Sequence, residues 1–161
     1  YNHETWLRLV YTKPLRLTEE ERKQRGSLKN MIFSHEDFSD LDLSYMDLEN
    51  AHFKECQFIN TKLKGAWALN AHFDNCLMSC SDLSNIYAKG ADFGESRLNN
   101  ADLGHAFLMD ADFGYVDLTG VNAEGAFLND ADFEGANLTA TNFNFAYLNA
   151  ENWKLIDKFS S

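Results

Sequence analysis

A five-residue repeat runs through most of this chain and limits the folds that the chain can adopt. Read in fives from Ala91, the sequence is ADFGE, SRLNN, ADLGH, AFLMD and ADFGY, and the pattern continues through residue 138. Each unit has a small residue, then usually Asp or Asn, then Leu or Phe, then two variable residues. Such a repeat is identified first, because missing it mis-assigns the whole fold.

A period of five fits neither of the regular secondary structures. On an α-helix, five residues at about 100° each place successive copies about 140° apart around the cylinder. On a flat strand, an odd period sends alternate copies to opposite faces. The chain is therefore predicted to turn once per repeat, so that each five-residue piece forms one side of a coil.

Aromatic residues indicate how many repeats make one coil. At the Leu/Phe position, called the central position below, Phe recurs every 20 residues from Phe33 to Phe133, and Trp153 continues the series. A second series of the same period stands just before the central position and is called the aromatic column: Trp67, Tyr87, Phe107, Phe127 and Tyr147. Twenty residues are four repeats, so the sequence predicts a coil with four sides and a square cross-section.

The units ADFGE, ADLGH, ADFEG and ANLTA match the consensus A(D/N)LXX almost letter for letter, and the chain thereby resembles the pentapeptide repeat family. The resemblance covers residues 31–155 as 25 unbroken repeats, with degenerate units at 31–50 and 151–155. It implies an all-β fold, a right-handed quadrilateral β-helix. We expect residues 1–30 to form a short helical N-terminal cap and residues 156–161 a tail, because the end of a solenoid needs covering.

Two short helices are predicted in the N-terminal segment. The first covers residues 4–11. Thr18 followed by Glu21 is a capping box, so residues 19–25 are predicted to form a second, polar helix. The residues expected to cover the opposite end of the core are Trp153, Leu155, Ile156 and Phe159.

The distribution of charge argues against nucleic-acid binding. Residues 1–30 carry a net charge of +3, whereas residues 31–161 carry −14. A protein that binds nucleic acid needs the opposite sign on its main surface. We therefore expect no direct DNA or RNA binding and no attraction to an anionic membrane. The chain has no run of about 20 apolar residues, so membrane insertion is not expected either.

No catalytic set is recognised in the sequence. Carboxylates are abundant because the repeat specifies Asp beside its central residue, so their pairing needs no catalytic explanation. We expect a non-enzymatic chain without a cofactor. His52 and His72 are predicted to stack in one outward column beneath Asp92, Asp112 and Asp132. Two ligands on a flat sheet do not close a coordination shell, so no metal site is predicted.

The three cysteines, Cys56, Cys76 and Cys80, fit no zinc-binding spacing. Cys56 and Cys76 fall at the small inward position of one column, one coil apart, where Cys serves as a compact core residue. A disulfide between neighbouring coils is geometrically conceivable. The interpretation favoured here is that the thiols are reduced.

The aromatic column carries the functional prediction. The residue before the central one should point outward, and on one side of the coil it is aromatic, accompanied by Leu69 and Met109. An apolar stripe of this kind is usually covered or used for binding. Residues 1–30 could cover it, or it could dock a second protein or a neighbouring domain, since aromatic residues and Met are enriched in interfaces. We therefore predict a protein-interaction scaffold that binds its partner through this column, Leu69 and Met109.

An acidic ridge supports an alternative function. It consists of Asp92, Asp110, Asp112, Asp130 and Asp132. Several pentapeptide repeat proteins are thought to imitate duplex DNA and to occupy DNA gyrase, so the resemblance implies a topoisomerase regulator that protects against quinolones. Those members generally dimerise through a C-terminal helical module. A homodimer is compatible with this sequence, but no such module is recognised in it.

The resemblance also extends to secreted bacterial effectors. These include HECT-like ubiquitin ligases, whose similar β-helices help to recognise host proteins. It implies a target-recognition module of a larger protein, either cytoplasmic or secreted into a host cell. The chain begins at Tyr1 rather than Met, which agrees with a fragment or a processed form.

Overall fold

Every fifth residue of the coil bends the backbone into a left-handed conformation. In the computed structural model, which describes residues 27–158, the positions from Asn30 to Phe145 in steps of five all have φ between 52° and 69°. Asn, Asp and Gly occupy most of them, and these residues tolerate positive φ best. The next N–H then bonds back to the central carbonyl, as from Ala91 to Ala88 at 3.1 Å. The predicted turn in each repeat is thereby confirmed.

Parallel pairing between turns of the coil follows a constant register. Three short strands, β1 (Ile32–Ser34), β2 (His52–Lys54) and β3 (His72–Asp74), form a parallel sheet in that order. Their residues pair 20 positions apart, and bridges with the same spacing continue to Phe127 and Tyr147. One coil therefore takes four repeats, as the aromatic spacing predicts.

The core is a column of central residues filled in by small ones. The six Phe rings from Phe33 to Phe133 stack with centroids 5.1–5.3 Å apart and planes within 12° of parallel. Ala71 and Ala91, two positions before a central Phe, are fully buried as well. Since both these positions point inward, the residue between them points outward, and there the aromatic and aspartate columns stand.

The repeat pattern begins before residue 31. Leu28 is fully buried, and its N–H donates to the carbonyl of Asp47 at 3.0 Å. It thus occupies the central position one coil below Leu48, and residues 27–30 already belong to the coil. The two helices predicted at 4–11 and 19–25 lie outside the described residues.

The prediction that residues 151–155 form a last repeat is wrong. The chain there forms a helix, α1 (Ala150–Asp157), so Trp153 leaves the Phe series and is 38% exposed. Glu151 stands where a repeat needs a small inward residue, and it favours a first helical turn instead. Ile156 is buried against the core with Leu155 beside it, as predicted for these two residues of the covered end. Phe159, also predicted there, lies outside the described residues. Within the described residues, no helix is long and apolar enough to span a bilayer.

Candidate functional site

The aromatic column forms a ladder of stacked rings along one side of the coil. The backbones of the column pair in parallel register, and three of the four successive ring pairs stack face to face. The rings of Tyr87 and Phe107 are instead tilted by 39°, with centroids 5.9 Å apart. The centroids of Trp67 and Tyr87 are 4.4 Å apart, and those of Phe107 and Phe127 are 4.9 Å apart with parallel planes. Tyr147 stacks on Phe127 at 4.6 Å. The structure therefore brings together the five aromatic residues that the sequence places on one face.

Exposure varies along the column. Trp67 is 44% exposed and Tyr147 is 54% exposed, because each lies at an end of the ladder. The three rings between them are half-buried, since each is covered by a neighbour above and below. Leu69 and Met109 are also half-buried. The result is an apolar stripe whose ring edges remain open to solvent.

Turn geometry does not require aromatic residues at these positions. On the neighbouring sides, the residue before the central one accepts a bond from the N–H two positions later, as Asp112 does from Gly114 at 2.8 Å. An aromatic side chain cannot do this, and each lost bond costs about 0.5–1.5 kcal/mol. Ring stacking contributes a similar amount, about 0.5–1.5 kcal/mol per pair. Stacking therefore offsets the lost turn bonds, and the edges of the rings remain as an apolar surface open to solvent.

The acidic ridge runs beside the aromatic column on the next side of the coil. Asp92, Asp112 and Asp132 align in one parallel register, whereas Asp110 and Asp130 occupy left-handed corner positions between the two sides. In the first three, Oδ1 accepts the N–H two residues on, at 2.8–2.9 Å. Part of this acidity is therefore explained by turn formation.

Below the acidic ridge, the predicted column of His52 and His72 has a third member that was not predicted. His52 and His72 are neighbours in β2 and β3, with ring centroids 4.9 Å apart. Asp74 joins them, because Nε2 of His52 contacts its carboxylate. The signal in the sequence is its position, one coil plus two residues after His52, where a flat strand returns to the outward side.

The three cysteines are free thiols. Cys56 and Cys76 are buried and Cys80 is exposed, which agrees with the reduced interpretation. The pKa of the Cys76 thiol is raised by its hydrogen bond with the side chain of Cys56 and by burial. Both buried thiols therefore belong to the core rather than to an accessible redox site.

Two open grooves flank α1, where the helix crosses the end of the coil. One is lined by Phe143, Phe145 and Trp153 together with polar side chains. The other is lined by acidic and amide residues that include Asp130 and Glu151. Both are shallow continuations of the outer surface, and neither joins the aromatic column.

Comparison with known proteins places these features in a family. A model described as pentapeptide repeats matches in eight copies, over residues 37–75, 56–94, 76–114 and 117–150. No curated protein sequence matches the chain.

Solved structures of repeat proteins are similar to the chain as well. A pentapeptide repeat protein of the Arabidopsis thaliana thylakoid lumen is 22% identical, with 94% of this chain and 87% of that chain covered and a TM-score of 0.48. QnrB1, a plasmid-mediated fluoroquinolone resistance protein, is 15% identical over 83% and 92%, with a TM-score of 0.42. HetL of Nostoc sp. strain PCC 7120, involved in heterocyst differentiation regulation, is 14% identical over 91% and 96%, with a TM-score of 0.26.

Proposed function

We propose that this chain, which belongs to the pentapeptide repeat family, is a non-catalytic scaffold that binds another protein through its aromatic column. The observation that carries the proposal is the ladder of five aligned rings from Trp67 to Tyr147, with solvent-exposed edges. Aromatic residues and Met concentrate binding energy in interfaces because they bury large areas with few rotatable bonds. The scaffold is a right-handed quadrilateral β-helix: its 20-residue register supports the four sides, and its family supports the right hand.

Charge beside the stripe indicates the chemistry of the partner. Asp110 and Asp130 occupy the corner between the aromatic column and the acidic ridge, and both are exposed. A complementary surface would present apolar side chains flanked by Lys or Arg, because opposite potentials steer association and fix register. The partner is therefore a protein, or a domain of the same larger protein, with a basic rim around an apolar centre.

The test compares the aromatic column with a different side of the coil, on which Leu77 is an isolated apolar residue. Tyr87 and Phe107 are changed to Ser in the full chain, and Leu77→Ser, which removes an exposed apolar residue from another side, is the matched control. Each version of the chain is immobilised and used to capture proteins from solution. A protein that binds the wild type and the control, but not the double variant, is identified, purified and titrated against all three. Equal retention by the double variant would sink the assignment of this face.

Coverage of the column by residues 1–30 is the competing explanation for the same stripe. In that case the double variant would lose stability in isolation rather than a partner, because the sealed face would open. Circular dichroism and urea unfolding of the double variant separate the two outcomes, since a free docking face tolerates polar substitution with little change in the free energy of unfolding.

The acidic ridge favours a second candidate, a DNA-mimicking regulator of DNA gyrase. Asp112 and Asp132 are exposed and stand in line along the coil. Their replacement by Asn removes the charge but keeps the oxygen that accepts the turn bond. Inhibition or quinolone protection of gyrase supercoiling by the wild type, weakened in this double variant, would support mimicry. If micromolar protein has no effect on supercoiling, gyrase regulation is excluded and the scaffold function remains as the proposal.

The scaffold role also suits a recognition module of a secreted bacterial effector. A module of this kind binds the host target while another domain of the larger protein supplies the enzymatic activity. Sequencing the open reading frame on both sides of the chain tests this version, which requires an additional domain.

A further inference from the structure

Two histidines and an aspartate converge on the outer surface of the three-stranded sheet. His52 lies in β2, and His72 and Asp74 lie in β3. Alternate residues of a strand point to the same side, so His72 and Asp74 both face outward while Phe73 between them is buried. The parallel register sets His52 directly beside His72 and diagonal to Asp74.

The distances within this cluster suit a small cation. One potential ligand atom from each residue lies within 4.8 Å of the other two. Zinc binds imidazole nitrogen and carboxylate oxygen at about 2.0–2.2 Å, which puts tetrahedral ligands roughly 3.4 Å apart. The side chains are partly exposed, so rotation about their bonds can shorten the separation of the ligand atoms to that value. The strands need not move, because hydrogen bonds between the backbones hold them in place.

Two neighbouring residues affect the proposed ligands in opposite ways: Asp92 supports His72, and Lys54 competes for Asp74. Oδ2 of Asp92 lies 3.7 Å from Nδ1 of His72, which leaves Nε2 of that ring for the metal. A carboxylate behind a histidine ligand orients the ring toward the metal. Lys54 is exposed and pairs with Asp74 in the strand register. Its positive charge lies next to the cluster, so it competes with a metal ion for the carboxylate of Asp74.

We propose that His52, His72 and Asp74 bind a single divalent transition-metal ion of the zinc type on the surface of the coil. Two imidazoles with one carboxylate favour Zn²⁺ over Mg²⁺ or Ca²⁺, which prefer oxygen ligands. Three protein ligands leave a coordination position open to water or to a side chain of a partner. The ion would also link β2 to β3, because its ligands come from both strands.

The first test is calorimetric titration of the metal-free full chain with zinc chloride, in a Cys80→Ser background that removes the exposed thiol. One ion per chain is expected to bind with micromolar affinity, and magnesium chloride is expected to give no signal. His52→Ala and His72→Ala should each weaken binding by at least about tenfold. His105→Ala, which removes an exposed histidine elsewhere on the coil, is the matched control and should bind like its parent.

A second measurement excludes loss of fold as the reason for lost binding. Circular dichroism of each variant should match the wild type, because all three ligands are surface residues. Zinc should raise the melting temperature of the wild type by several degrees and leave that of the His52→Ala/His72→Ala double variant unchanged. Absence of zinc binding at micromolar concentrations, or undiminished binding by the double variant, would overturn the proposal.

Discussion

The Sγ atom of Cys76 donates a hydrogen bond to the carbonyl oxygen of Phe53, 3.3 Å away and 23 positions earlier in the chain. One coil above, the hydroxyl of Ser96 accepts the N–H of Cys76 at 2.8 Å and donates to the carbonyl of Phe73. A side chain from the next coil thus bridges the ends of a corner turn.

The bridging role predicts different outcomes for two substitutions of Cys76. Cys76→Ala should lower the free energy of unfolding by about 1–3 kcal/mol, because it leaves the buried carbonyl of Phe53 without its donor. Cys76→Ser should cost less, since a hydroxyl performs this role at position 96. Urea unfolding of both variants measures the difference. Equal losses would show that the thiol acts only by filling volume.

The rate of thiol labelling should distinguish exposed Cys80 from the two buried cysteines. Cys80 is exposed, whereas Cys56 and Cys76 are buried, and the pKa of Cys76 is raised so that its thiol stays protonated. The thiolate is the reactive form. A disulfide-exchange reagent at neutral pH is therefore expected to label one thiol in the native chain and three in denaturant. Rapid labelling of all three without denaturant would contradict the buried placement.

Fluorescence quenching should reveal whether the end of the aromatic column is open. Trp6→Phe and Trp153→Phe leave Trp67 as the single tryptophan in the full chain. Its 44% exposure predicts efficient quenching by acrylamide and iodide. The matched reference is the chain that retains only Trp153, which is 38% exposed. Strong protection of Trp67 relative to this reference would indicate that another segment covers the column.

Asp112 should matter to stability through its oxygen rather than its charge. Its Oδ1 accepts the N–H of Gly114 at 2.8 Å. Asp112→Ala should therefore cost about 0.5–1.5 kcal/mol, the net contribution of one hydrogen bond. Asp112→Asn keeps an oxygen acceptor and should unfold close to the wild type. A greater loss for Asn than for Ala in thermal unfolding would disprove this explanation of the acidic ridge.

Much of the coil follows from the sequence because its geometry repeats. A period of five in the small and central positions, combined with aromatic residues every 20, predicts both the turns and the register that pairs Phe33 with Phe53. The aromatic column is predictable for the same reason: once inward positions are known, Trp67 and Tyr87 have to face outward, one coil apart. Local pattern and long-range contact coincide in such a fold.

The features missed by the sequence lie where the repeat departs from its rule. Residues 151–155 resemble a repeat, but beyond Leu148 the core ends, and the chain forms α1 with Ile156 packed against that end. Asp74 would fall in a corner if every turn were alike. It joins His52 because β2 and β3 extend one residue past their central Phe, which keeps the second outward position on the flat side.

The sequence by itself determined the five-residue turn, the 20-residue coil and the side on which the aromatic column stands, because those depend only on periodicity and side-chain size. The tertiary structure alone decided which exceptions meet across neighbouring coils: the thiol of Cys76 inside the turn after Phe53, and Asp74 beside His52. These contacts between coils depend on whether a strand extends by one residue or a turn opens by a few ångströms. A pattern of residue types does not encode displacements of that size.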